Sequence, residues 1–202
     1  MASIINASTS AGVQITSDTS GVIQFQSNGA NSVTVPSTGT GTIAVQGVST
    51  NIVSGTSQAS TSGTAIQFTA IPSWVKRITI MFQGVSTSGT SNYQIQAGTG
   101  STTYTTSGYL GTFGAASQTA NSAGFIFGNY ASAAAVVHGA VRLSNISGNN
   151  WVIEGIVSRS DTTGGGWVSG SISLAAALTA VQITTANGTD TFDAGSINIM
   201  WE

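Results

Sequence analysis

Apolar side chains recur through the first fifty residues in pairs two positions apart: Val13/Ile15, Ile23/Phe25, Val33/Val35 and Ile43/Val45. The pairs follow one another at a period of ten residues. Spacing of two puts both members of a pair on one side of an extended strand. Between the pairs lie turn formers: Asp18-Thr19-Ser20-Gly21, Asn28-Gly29-Ala30-Asn31 and Ser37-Thr38-Gly39-Thr40-Gly41. Each repeat therefore reads as a short strand followed by a tight turn. A single copy has one thin apolar face, and a repeat of this kind needs something to stack on. The same segment from other copies is the natural partner, and a three-fold axis closes three thin faces into one core. Residues 1–50 are accordingly expected to be a repetitive β segment that trimerises and attaches.

From Asn51 the texture changes to longer alternating runs. Strands are expected over 65–71, 77–85, 93–97, 124–130, 136–143, 151–158, 170–174, 181–185 and 196–201. Ile78, Ile80 and Phe82 share one face, as do Ile197, Ile199 and Trp201, and Ser147-Gly148-Asn149-Asn150 reads as a hairpin turn. The Ala-rich pieces 131–135 and 174–178 are too short for three helical turns and are read as loop or strand continuation. Short strands separated by Gly, Ser and Asn predict an all-β chain. Residues 51–202 are expected to form an antiparallel β-sandwich or jelly roll, with long loops at 98–114 and 159–170.

Charge changes the picture. Charged residues make up 5% of the 202-residue chain, against roughly 25% in an ordinary soluble domain. With a net charge of −2, copies repel one another weakly. Lys76, Arg77, Arg142 and Arg159 are the only cations, too few for a nucleic-acid footprint. There are no cysteines, which removes thiolate metal sites and redox chemistry. The start, Met1-Ala2-Ser3-Ile4-Ile5-Asn6, lacks the cationic and apolar parts of a signal peptide. No run approaches the ~20 apolar residues of a membrane span, so no membrane insertion is expected. Asn-x-Ser/Thr triplets at Asn6, Asn145 and Asn187 are what chance supplies in so Ser/Thr-rich a chain.

Candidate chemistry is sparse. The single histidine, His138, lies in an apolar run and reads as a packing residue rather than a general base. No Gly-x-Ser-x-Gly elbow occurs. The acids are Asp18, Glu154, Asp161, Asp190, Asp193 and Glu202. Asp190 and Asp193 point to opposite faces if their segment is a strand, and would share a metal only in a loop. An Asn187-Gly188 turn with Asp side chains bonding nearby amides is the simpler reading. Gly39-Thr40-Gly41 and Gly164-Gly165-Gly166 lack the remaining residues of phosphate loops. No catalytic residue, metal ligand or cofactor is assigned. Exposed aromatics remain: Tyr104, Tyr109 and Trp167 lie in Gly/Ser/Thr-rich stretches where a ring could stack on a receptor glycan, or cap the sandwich instead. Trp74, Trp151 and Trp201 read as core or interface.

Ile71-Pro72-Ser73-Trp74-Val75-Lys76-Arg77-Ile78-Thr79-Ile80-Met81-Phe82, continued by Gly84-Val85-Ser86-Thr87-Ser88-Gly89-Thr90-Ser91, resembles the start of a β-domain recurring in phage tail-fibre and other virion surface proteins. The stretch from Ile183 to Ile199 resembles that domain's last hairpin, and Gly21-Val22-Ile23-Gln24-Phe25-Gln26-Ser27-Asn28-Gly29 resembles segments preceding it. The resemblance implies a virion location and a homotrimer, and carries over no catalytic residue. The expected function is a non-enzymatic virion structural protein: a short trimeric tail fibre or appendage that binds other virion proteins through residues 1–50. Its distal domain would meet a host surface glycan or protein. The alternative is a capsid decoration (cement) or head-fibre protein. A free carbohydrate-binding module leaves the ten-residue repeat without a purpose.

Overall fold

The computed structural model describes residues 23–27, 30–35, 52–114, 119–120, 123–128 and 132–202. The chain divides into two units, Met1–Thr50 and Asn51–Glu202. All regular structure among the described residues is β, and every strand pair is antiparallel.

In the first unit, β1 (Ile23–Ser27) pairs with β2 (Ala30–Val35). Register sets Ile23 opposite Val35 and Phe25 opposite Val33. The pairs Val13/Ile15 and Ile43/Val45 lie outside the described residues.

The second unit has two sheets. Its strands are β3 (Val53–Ser54), β4 (Gln58–Ala59), β5 (Ala65–Phe68), β6 (Arg77–Thr87), β7 (Tyr93–Gly98) and β8 (Leu110–Gly114). They continue with β9 (Thr119–Ala120), β10 (Phe125–Phe127), β11 (Val137–Ser147), β12 (Asn150–Arg159), β13 (Gly165–Ser173), β14 (Ala180–Thr185) and β15 (Phe192–Trp201). The small sheet runs β10-β7-β14-β5; the large one runs β3-β15-β6-β11-β12-β13-β8-β9, with β4 also on β15. The chain swaps sheets repeatedly: β5 small, β6 large, β7 small, β8 and β9 large, β10 small, β11 to β13 large, β14 small, β15 large. No two neighbours in the small sheet are consecutive in sequence. The apolar faces of the sheets meet in one core, where Ile78, Ile80 and Phe82 of β6 and Ile197 and Ile199 of β15 join Ile95, Phe125 and Ile183 of the small sheet. Trp201 packs against that core as the alternation predicts.

Several expectations need correcting. The segment 98–114 is not all loop, because Leu110–Gly114 pairs with β13. Likewise 159–170 is a short turn followed by most of β13, which begins at Gly165. Glycine-rich composition hid both strands: Gly111 and Gly170 face each other where a Cβ on either would meet backbone within 2.5 Å. The stretch likened to a closing hairpin is a crossover instead, since β14 and β15 belong to different sheets. Strand 65–71 stops at Phe68, and of 124–130 only Phe125–Phe127 is strand, with 129–130 outside the described residues. The turn at Gly148-Asn149 forms as expected between paired Ser147 and Asn150.

Two bulges bend the long β6/β15 pair. β6 carries one extra residue around Gly84 relative to both β11 and β15, and β15 carries one at Asp193. Gly84 and Gly195 adopt left-handed φ of 64° and 89°. A Cβ on Gly195 would stand 2.4 Å from the Gly84 carbonyl oxygen. Gly195→Ala should therefore lower stability by about 1–3 kcal/mol more than Gly148→Ala. Gly148 also has a positive φ, 51°, but open space around it, so the difference isolates the clash. Urea unfolding of the two variants checks this; equal losses would show that the bulge tolerates a side chain.

Candidate functional site

The three aromatics marked by the sequence do not converge. Tyr109 is 2% exposed, packed edge-on against Phe125 with ring centroids 4.7 Å apart. Its hydroxyl accepts the Ala97 N–H (2.8 Å) and donates to the Thr105 carbonyl (2.9 Å). Burial pushes this phenol up to about 12. Tyr109 is thus the pin that ties the 99–109 loop to β7, and its ring is not offered to a ligand. Tyr104, in the same loop, bridges to Gly98 and is half-buried, which raises its phenol pKa. Trp167 stands on the outer face of the large sheet, in β13 rather than in a loop, because its neighbours Gly166 and Val168 are the buried ones. Of the other tryptophans, Trp151 is core, whereas Trp74 is 45% exposed in a turn.

His138 serves the β6 bulge. The extra residue turns the Gly84 N–H out of the ladder, and the N–H donates to His138 Nδ1 at 3.3 Å. An Nδ1 that accepts places the ring proton on Nε2, which lies 3.1 Å from Ser160 Oγ. In that tautomer Nε2 donates to the serine, the reverse of what nucleophile activation requires. The neighbouring turn is held by Asp161, whose Oδ1 accepts the Val136 N–H (2.9 Å) and Arg159 Nε (3.0 Å). Arg159, helped by the Val136 amide, holds the Asp161 carboxyl down at about 2.

Asp190 and Asp193 are held apart by different partners. Asp190 lies in the turn after β14, where Oδ2 accepts the Ser91 N–H (2.9 Å) and Oδ1 accepts Asn187 Nδ2 (2.7 Å). Asn187 Oδ1 accepts the amides of Thr189 and Asp190, an Asx turn of the kind the Asn-Gly pair predicts. Asp193 is the bulged residue of β15 and accepts Ser86 Oγ. Among the described residues no three His, Asp or Glu side chains gather as a metal site.

Two surfaces that sequence reasoning missed are better organised. On the outer face of the large sheet, Met81, Ala140, Ile156 and Trp167 are direct register partners across β6, β11, β12 and β13. They form an apolar row in which Ile156 is 72% exposed. Beside it the Arg142–Glu154 pair (2.9 Å) borders a depression of about 530 Å3. On the outer face of the small sheet, Gln67, Gln182 and Gln96 are register partners across β5, β14 and β7. Their amides bond in series over a groove of about 460 Å3. The signal for each was present as single residues, such as Gln between Ile66 and Phe68; only pairing lines them up.

The bulge and the loop pin can be checked together. Tyr109→Phe leaves the buried Ala97 amide without its acceptor and should cost about 1–3 kcal/mol in urea unfolding, while opening the 99–109 loop to limited proteolysis. His138→Ala should cost about 0.5–1.5 kcal/mol, and His138→Gln less, since Gln can still accept the Gly84 N–H. A Tyr109→Phe chain as stable and as protease-resistant as the parent would show that the hydroxyl pins nothing.

Asp161 sets a pH dependence. Its folded pKa lies below the value near 4 of an unfolded aspartate. Its contribution is therefore complete above about pH 4 and is lost as pH falls from about 4 towards about 2. The urea midpoint of Asp161→Asn should decline less than that of the parent in that window, and parallel curves would remove Asp161 from the account. No family model, curated protein or solved structure matches the chain.

Proposed function

We propose that this chain is a non-enzymatic structural protein of a phage virion, most simply a short trimeric tail fibre or similar appendage. In this reading residues 1–50 dock onto other virion proteins and share the trimer contact with the 51–202 domain, whose loops face the host surface. The observation that carries self-association is the apolar row Met81–Ala140–Ile156–Trp167. Four adjacent strands place these side chains outward, on a chain with only 5% charged residues to keep copies apart. The Arg142–Glu154 pair beside the row is exposed and adds little to repulsion or attraction.

Strand order supports the jelly-roll form of the sandwich. A jelly roll is built of Greek keys, in which consecutive strands alternate between facing sheets. The passage β5, β6, β7, β8 alternates in this way, and β14 returns to lie between β5 and β7. The meander β11-β12-β13 then reads as an enlargement of one strand position, and it is the enlargement that carries the apolar row. Folds of this class occur in viral capsid and lectin domains, which is fold-level analogy and fits the virion reading.

A capsid decoration protein is the second reading, favoured by the same row: a broad outer sheet face with exposed Ile156 and Leu110 could lie flat on a shell. Light scattering coupled to size exclusion separates the two. The trimeric reading expects three times the 20.2 kDa chain mass at micromolar concentration, nearly unchanged between low and high salt. Ile156→Glu and Trp167→Glu should shift the mass towards monomer. A monomeric parent would sink the trimer. A trimer indifferent to both substitutions would free the outer face and favour its use against a shell.

A further inference from the structure

A sheet face left to solvent ordinarily carries exposed polar side chains, yet the outer face of the small sheet buries them. Gln94 is 3% exposed, Gln96 8% and Thr184 7%. In β7 Tyr93, Ile95 and Ala97 face the core, while on the other side Ala123 lies against Gln94 and Gln96, its carbonyl accepting both Gln94 Nε2 (2.7 Å) and Gln96 Nε2 (2.9 Å). From there the amides form a one-way chain. Gln67 Nε2 donates to Gln182 Oε1 at 2.7 Å, and Gln182 Nε2 donates to Gln96 Oε1 at 2.9 Å. Each amide nitrogen thereby spends one of its two N–H groups, and Gln67 Oε1 stands at the head of the chain as an acceptor. The groove of about 460 Å3 above them has no ionisable side chain in its lining among the described residues.

We infer that this groove binds a neutral glycan. A sugar hydroxyl both donates and accepts, and a row of oriented amides with hydroxyl neighbours offers both roles along a line. A phosphate, sulfate or carboxylate calls for cations, and the lining holds none. An apolar ligand would strand the spare amide N–H groups without water, which is unfavourable. The rotamer freedom of the glutamines is already lost to the ladder, so a ligand meets donors held in place. Among the described residues no aromatic ring lines the groove, so contact rests on hydrogen bonds and a single site binds weakly. Three copies on one appendage would raise the avidity. The inference deepens the host-surface reading and rests on it for its biological meaning.

The test uses the intact chain, 15N-labelled, with side-chain amide spectra recorded during titration with maltohexaose, laminarihexaose and chitohexaose. Sialyllactose and a heparin hexasaccharide serve as charged controls. At least one neutral oligosaccharide should shift the Gln67 and Gln182 amide signals at millimolar concentration, with the charged sugars weaker. Gln182→Ala should reduce that affinity at least tenfold without moving the melting temperature by more than a few degrees. Gln67→Ala, at the exposed edge of the sheet, provides the same test should Gln182→Ala fail to fold. The inference is overturned if no neutral sugar shifts these signals, or if the charged sugars bind better. It is overturned equally if a neutral sugar binds both variants as tightly as the parent. The host-surface reading is judged separately, by whether the chain blocks adsorption of the particle to cells, so the two can fail independently.

Discussion

β14 is the strand on which the second unit depends. It lies between β5 and β7, partners 115 and 86 residues earlier in the chain by their registered pairs Gln67↔Gln182 and Gln96↔Gln182. Until it arrives, neither of the strands it joins has a neighbour on that side, and the small sheet cannot cover the large one. Its ends are also fastened: at the start the Ile71 amide donates to the Thr179 carbonyl and the Thr179 amide to the Gly98 carbonyl, and at the close the Ala186 amide donates to the Asn92 carbonyl. Such pairing brings the entropy of long loop closures ahead of the contacts that reward it. The reward is a core shared by both layers, in which Val181 and Ile183 are fully buried. The same strand places Gln182 between Gln67 and Gln96, so the closure that makes the core also makes the ladder.

With few charges, polar order in this protein rests on amides, hydroxyls and backbone. The ion pairs among the described residues are few and mostly exposed: Arg77–Glu202, Arg142–Glu154 and Arg159–Asp161. The groups that a bulge or turn releases are taken up individually. Gly84 finds His138, Ser91 finds Asp190, Ala97 finds Tyr109, and Ser86 finds Asp193. Most of these bonds join residues far apart in sequence, so they fix the relation between strands rather than the shape of one loop. That is the physical reason His138, Asp161, Asp190 and Asp193 are occupied in holding loops and bulges.

The fold class was legible because alternation is a local property. Ile78-Ile80-Phe82 and Ile197-Ile199-Trp201 each carry a period of two, and Gly148-Asn149 carries its own turn chemistry; both signals survive any tertiary arrangement. Strand identity failed where side chains gave no pattern. Leu110–Gly114 and the first half of β13 are rich in glycine, chosen because backbones approach closely at Gly111 and Gly170. A close approach is invisible until the partner strand is known.

Sites were less legible than strands for the same reason. Tyr109 and Trp167 look alike in sequence, aromatic rings among Gly and Ser, yet one fills the core and the other stands on an outer face. Tyr109 leads into β8 and Trp167 lies in β13, neighbours in the same sheet, so burial of each ring depends on which face its backbone turns inward, and that is set by pairing with distant strands. By itself the sequence determined an all-β chain, strand faces, a low-charge surface and a repetitive first segment, since each follows from composition and a period of two or ten. The tertiary structure decided which polar residues form a ladder, which apolar ones form an outer row, and that His138 holds a bulge. Those are matters of register between distant strands, and register is set by the pairing of whole strands rather than by any residue in one of them.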